Sequence, residues 1–199
     1  MQKNNYFRYA ATLAIICLAA SGLLSVVFNI TQPKILEQQS KEEAKSLKDV
    51  YPAASEFEPV KEGENVVYYK AFNKDKDVLG YVFKASKKGY SSMIVTMVGM
   101  DTKGNIVRIK VLSQNETPGL GSKINEVIVK ETLWDILLKK AKMGSLPQPW
   151  FEERFNGKKA ADLSQEVDTI TGATISSKAV IDSVQSKAKE IMEKVQNGR

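Results

Sequence analysis

Seven residues, Asp168-Thr169-Ile170-Thr171-Gly172-Ala173-Thr174, run directly into a long amphipathic helix expected from about Ser176. Gly172 and Ala173 are small enough to let the backbone approach a ligand, and Thr174 brings a hydroxyl to the first turn of that helix. The free N–H groups and the dipole at a helix start favour an anion, a phosphate above all. A hydroxyl placed there can stand beside a phosphoester or carry one. The same residues have a plainer use, since Thr174, Ser176 or Ser177 would serve as a helix cap. Local spacing leaves both readings open.

A second loop, Glu116-Thr117-Pro118-Gly119-Leu120-Gly121-Ser122-Lys123, precedes another expected helix. Two glycines two apart can bring backbone N–H groups against a ligand. Ile124 stands where the third glycine of a dinucleotide fingerprint would be, and the spacing of a Walker phosphate loop is missing. On the dipeptide alone, a Pro-Gly turn between strand and helix is the favoured reading.

What is missing narrows the chemistry. The chain has no histidine, which excludes Ser-His-Asp and Cys-His catalysis, histidine–zinc sites and histidine-ligated haem. Its one cysteine, Cys17, lies in an apolar run, so neither a disulfide framework nor a thiolate cluster can be built within this chain. Redox chemistry here would need an organic cofactor or a partner's metal. The formal charge is +6, with lysines interspersed among acids as in Lys61-Glu62-Gly63-Glu64. That is a solvated mixed surface, without the basic, aromatic-interleaved stripe of a nucleic-acid binder.

The elements that position these loops follow from pattern. Residues 9–30 carry no charge and are long enough to cross a ~30 Å hydrocarbon core as a helix. Lys3 and Arg8 precede them, which by the positive-inside bias sets residues 1–8 in the cytoplasm and everything after Thr31 outside. The apolar run is longer than the core of a cleaved signal peptide, so it is read as a retained anchor. Residues 31–52 read as a juxtamembrane helix and linker beginning near Pro33, and 53–199 as the extracytoplasmic domain.

Strands are expected at Val66–Tyr69, Val78–Phe83, Met93–Val98 and Ile106–Val111, the last two joined as a hairpin in which Gly104 supplies a positive φ. A helix is expected over 124–142, then a Pro-containing loop over 144–149 and a short aromatic segment from Trp150 to Phe155. The last helix is the clearest, with Ile181, Val184, Ala188, Ile191 and Val195 on one face. Strands segregated from helices make an α+β domain, an antiparallel sheet with flanking helices.

An N-terminal anchor, a sheet, Glu116-Thr117-Pro118-Gly119-Leu120-Gly121 and, well downstream, Thr171-Gly172-Ala173-Thr174 together resemble a family. It is that of the FMN-binding subunits of ion-pumping redox complexes: the G subunit of the Rnf ferredoxin–NAD oxidoreductase and the related C subunit of the sodium-pumping NADH–quinone oxidoreductase. The chain's short length suits the former. Many members carry a histidine just before the Glu-Thr-Pro-Gly run, where this chain has Ser113-Gln114-Asn115.

The resemblance implies FMN joined through its phosphate to the hydroxyl of Thr174 by a separate flavin transferase, with Asp168 part of what that enzyme reads. It implies a cofactor site of Thr171, Gly172, Ala173 and Thr174 with Glu116, Thr117, Gly119, Leu120 and Gly121. Leu120 would be an apolar contact to the ring, and Glu116 and Thr117 would either hydrogen-bond the ring or cap the turn. Trp150 and Phe151 would stack near the flavin or belong to the core. The implied role is electron transfer within a complex, as a redox carrier with no complete active site of its own. Its partners would be other membrane proteins, including a second flavinylated one. A stand-alone membrane-tethered flavoprotein for extracellular electron transfer is the rival reading.

Overall fold

The computed structural model describes residues 3–63, 65–127 and 149–197. The expected helix over 124–142 and the loop that follows it fall largely outside the described residues. Residues up to Ala44 and those from Lys45 onward form two compact units.

The first unit is helical. Helix α1 (Lys3–Val50) holds the apolar run with its side chains exposed, and it is long and apolar enough to cross a membrane. The helix does not restart at Pro33 but continues through it. Proline lacks the N–H that would bond four residues back, so the interruption costs one backbone bond. Two residues earlier the Thr31 hydroxyl donates to the Val27 carbonyl at 2.7 Å.

In the second unit five antiparallel strands follow one another as a meander: β1 (Glu56–Glu62), β2 (Asn65–Phe72), β3 (Val78–Lys88), β4 (Met93–Asp101) and β5 (Ile106–Ser113). Four of them enclose the β-branched runs read from sequence, and Gly104 turns the last hairpin with φ of 87°. The fifth, β1, is an edge strand whose residues are mostly exposed, and its charges and Pro59 hide it from a hydrophobic pattern.

The period of two divides the apolar residues between the two faces of the sheet. Tyr81, Phe83 and Ala85 of β3, with Ile94, Val98 and Met100 of β4, face the main core. Against them packs α4 (Thr174–Asn197), burying Val180, Val184, Ala188 and Ile191. The short helices α2 (Trp150–Glu153) and α3 (Leu163–Glu166) and the turn between them add Phe151, Phe155 and Leu163 to the same core. Residues 157–160 also close the free edge of β5. The Ile106 N–H donates to the Lys158 carbonyl, and the Ile106 carbonyl accepts from the Gly157 N–H at 2.7 Å. The Glu152 carboxylate accepts from the Val111 N–H at 2.8 Å.

On the other face, Val82 and Met97 pack with Leu47, Val50 and Tyr51 from the last turn of α1 and just beyond. Gly99 makes this contact possible, because a Cβ there would stand 2.5 Å from the Val50 carbonyl oxygen. Gly99→Ala must therefore push backbone away from the sheet. The expected loss is about 1–3 kcal/mol, read as a melting temperature several degrees lower in thermal unfolding of the full chain.

Candidate functional site

Two loops meet beside the β3–β4 turn. In each, a turn places a glycine with positive φ at its third position. Thr117 to Leu120 closes with the Leu120 N–H donating to the Thr117 carbonyl, and Gly119 has φ of 75°. Ile170 to Ala173 closes with the Ala173 N–H donating to the Ile170 carbonyl at 2.9 Å, and Gly172 has φ of 81°. A residue with a Cβ is strained there, which is why both turns use glycine. Without a side chain, Gly172 also sits against Leu120, whose Cδ2 would lie 3.5 Å from an added Cβ.

Between the loops is a cavity of about 470 Å³ lined by Tyr90, Glu116, Thr117, Leu120, Gly121 and residues 172–176. The first helical bond of α4 runs from the Ser177 N–H to the Ala173 carbonyl, so Ala173 takes the cap position and has no hydroxyl to cap with. The N–H groups of Thr174, Ile175 and Ser176 thus lack partners within the helix, and they belong to residues of the cavity wall.

Glu116 is the electrostatic centre of the site. Its side chain is buried and accepts hydrogen bonds on both oxygens. Oε1 takes the N–H groups of Ser91 and Ser92 at 3.1 and 2.9 Å and the Ser92 hydroxyl at 3.1 Å. Oε2 takes the Tyr90 N–H at 3.1 Å and the Ser176 hydroxyl at 2.6 Å. Burial alone would raise the pKa. The hydrogen bonds from Ser176 and from the Ser92, Ser91 and Tyr90 N–H groups outweigh it and hold the pKa at about 2. Gly121 leaves room for this arrangement, since a Cβ there would lie 2.7 Å from Ser176 Oγ and 2.9 Å from Glu116 Oε2. Gly121→Ala is expected to break the Glu116–Ser176 bond and lower the melting temperature of the full chain by several degrees.

The hydroxyls of the motif have separate fates. Ser176 is spent on Glu116. Ser177 is buried, donates to the Ala173 carbonyl at 2.8 Å and accepts from the Ile170 N–H. Thr169 and Thr171 are exposed and lie outside the cavity wall. Thr174 is exposed at the first position of α4, lines the cavity, and hydrogen-bonds through its side chain to none of the described residues.

Of the nine residues read from sequence as a cofactor site, seven line the cavity: Glu116, Thr117, Leu120, Gly121, Gly172, Ala173 and Thr174. Gly119 and Thr171 stand just outside it, and the Gly119 N–H is taken by Ser122 Oγ at 2.9 Å. Lys123 lies in the 3-10 turn Gly121–Asn125 and is not part of the wall. Asp168 is exposed, its carbonyl accepting from Arg154 at 3.3 Å. Phe151 is wholly buried in the core and Trp150 packs against that core, with neither in the cavity.

Tyr90, Ile175 and Ser176 belong to the wall and were not read as cofactor residues. Ile175 carried a usable signal, an apolar residue beside the motif and off the periodic face of the last helix; in the structure it is exposed. Tyr90 carried none, because the β3–β4 turn meets the motif only through the fold. With Leu120, these two give the cavity an apolar rim.

These residues fit FMN by the size of the cavity and the chemistry of its lining. The volume is that of a small-molecule site. A helix start suits a phosphate, and Leu120, Ile175 and Tyr90 suit an aromatic ring.

Comparison with known families matches residues 89–189 to the FMN-binding domain and residues 1–50 to the RnfG N-terminal region. Among curated proteins, the chain is 30% identical to the G subunit of the ion-translocating oxidoreductase complex of Methanosarcina acetivorans, covering 88% of each chain. It is 26% identical to the G subunit of the proton-translocating ferredoxin:NAD(+) oxidoreductase complex of Clostridium ljungdahlii, covering 95% of this chain and 93% of that one. A looser likeness, with 16% identity and a TM-score of 0.45, is to the crystal structure of Shewanella oneidensis NqrC, over 72% of this chain and 73% of that one. The chain belongs to the family of these G subunits and carries their FMN-binding domain.

Proposed function

From that membership we propose that the chain is the electron-transferring G subunit of a membrane-bound, ion-translocating ferredoxin:NAD oxidoreductase of the Rnf type, holding FMN as a phosphoester on Thr174. The observation that carries the covalent assignment is the fate of the hydroxyls. Ser176 and Ser177 are buried and engaged, while Thr174 faces the cavity at a helix start with its oxygen available.

The bound flavin supplies the capacity to accept and release electrons. The chain's residues do the rest. The free N–H groups of α4 stabilise the charge a phosphodiester retains, by a few tenths to about 1 kcal/mol. Leu120 and Ile175 would offer the ring apolar contacts. The ester bond removes the entropic penalty of holding a diffusible cofactor. No acid, base or nucleophile for a further reaction is required of this chain, in keeping with its lack of histidine.

In this reading a separate flavin transferase forms the ester from an activated flavin nucleotide. Thr174 Oγ1 loses its proton and bonds to phosphorus as the remainder of the donor leaves. Lys3 and Arg8 keep the N-terminus in the cytoplasm, and the FMN-binding domain stands outside. There it relays electrons among membrane subunits that include a second flavinylated one.

Peptide mass spectrometry on protein from its native membrane tests the reading. An FMN increment on the peptide holding Thr174 is expected. An unmodified peptide from an assembled, active complex overturns the covalent assignment.

A further inference from the structure

Glu116 has no capacity left for a cofactor. Three N–H groups and two hydroxyls converge on its two oxygens, all within 3.1 Å. The N–H groups can only donate, so the carboxyl they surround is an acceptor throughout. It also joins segments far apart in the chain. The donors come from the β3–β4 turn at residues 90–92 and from Ser176 in the first turn of α4. Thr174 stands two residues before that serine.

We propose that Glu116 is a positioning residue rather than a cofactor ligand. It ties the first turn of α4 to the β3–β4 turn, which fixes Thr174 at the cavity, and it leaves a permanent negative charge in the cavity wall that opposes reduction of the flavin. The second half rests on the reading of the cavity as a flavin site, whereas the tie does not. Where proton uptake does not fully offset the electrons a bound flavin would accept, reduction would leave added negative charge near that carboxylate. Burial leaves the interaction poorly screened, so reduction is less favourable than it would be beside a neutral residue. The charge thus sets the flavin's potential while the hydrogen bonds set the acceptor's position.

The two roles separate in two variants of the full chain, co-expressed with the flavin transferase and compared with the unaltered protein. Ser176→Ala cuts the tie and keeps the charge. Glu116→Gln removes the charge and sets an amide donor against backbone N–H groups. Flavin on the Thr174 peptide is measured by mass spectrometry, and the midpoint potential by mediated redox titration. Both variants should carry severalfold less flavin. The potential should stay in place in Ser176→Ala and rise in Glu116→Gln by about a tenfold change in the reduction equilibrium, roughly 30 mV for a two-electron couple.

Full occupancy in both variants overturns the tie. An unmoved potential in Glu116→Gln, or an equal shift in Ser176→Ala, overturns the charge effect. If Glu116→Gln does not accumulate, Glu116→Asp takes its place. It keeps the charge on a shorter arm and should show low occupancy at an unshifted potential, and a shifted one again overturns the charge effect. If the unaltered protein itself carries no flavin, the flavin reading fails and the charge effect with it. The tie is then judged alone, by a double-mutant cycle of Glu116→Ala and Ser176→Ala in thermal unfolding, where strict additivity overturns it.

Discussion

Replacing Thr174 with alanine yields a folded, membrane-inserted protein that carries no flavin. The side chain is exposed, makes no hydrogen bond with any described residue, and sits at the first position of a helix that alanine favours. Thermal unfolding should therefore move by less than about 0.5 kcal/mol. The loss of flavin should nonetheless be complete. Ser176 and Ser177 are buried and engaged, and Thr169 and Thr171 lie outside the cavity wall, so no other hydroxyl of the motif is placed to take over. Thr174→Ser keeps the oxygen and gives up one methyl, and it should retain the FMN increment. Flavin fluorescence in denaturing gels and the mass of the peptide report both outcomes. An increment that moves to another hydroxyl in Thr174→Ala would show that the transferase reads the loop's sequence and not its geometry.

The second large effect belongs to stability. Glu116→Ala removes an acceptor from three backbone N–H groups and two hydroxyls. A carboxylate whose pKa falls from 4.5 to about 2 on folding contributes about 3 kcal/mol at neutral pH. The variant should melt roughly 6–12 °C below the unaltered protein. The sign with pH follows from the depressed value. The contribution is whole above the unfolded pKa of 4.5, shrinks as the unfolded state takes up its proton, and is lost as pH falls through about 2. The gap between the two melting temperatures should therefore be constant from neutral pH to about 5 and narrow steadily below it. A gap that stays the same at about pH 3 would mean that Glu116 acts by packing and not by charge.

Much of the architecture could be read along the chain. Strands β2 to β5 announce themselves as β-branched and aromatic runs, and the apolar face of α4 follows the helical period through Ile181, Val184, Ala188 and Ile191. Other features had no local signature. Strand β1 gains its place from pairing with β2, which a charged edge strand does not advertise. Pro33 read as a helix start and proved to lie inside a continuous helix. The candidate caps Thr174, Ser176 and Ser177 all lie past the true cap position at Ala173, the farthest by one helical turn.

The cavity divides in the same way. The Pro-Gly turn is local and visible, and Gly119 there has a positive φ, whereas the turn at Gly172 reads from sequence only as a place for small residues. The partners of Glu116 are not visible locally, because they lie 24–26 residues upstream and 60 downstream. A side chain whose partners are that distant looks from sequence like one awaiting a ligand.

The motif's position in the chain also has a consequence in time. Tyr90, Glu116 and Leu120 are made before the ribosome reaches Thr174, and all five strands precede it. While the polypeptide is still emerging, that threonine is one hydroxyl among several in an unfinished segment. Its distinctive surroundings exist only once α4 and the loops of residues 90 and 116–121 are brought together. On the proposed reading, a transferase that recognised the finished cavity would label only chains that had folded, and misfolded ones would be passed over without any separate surveillance.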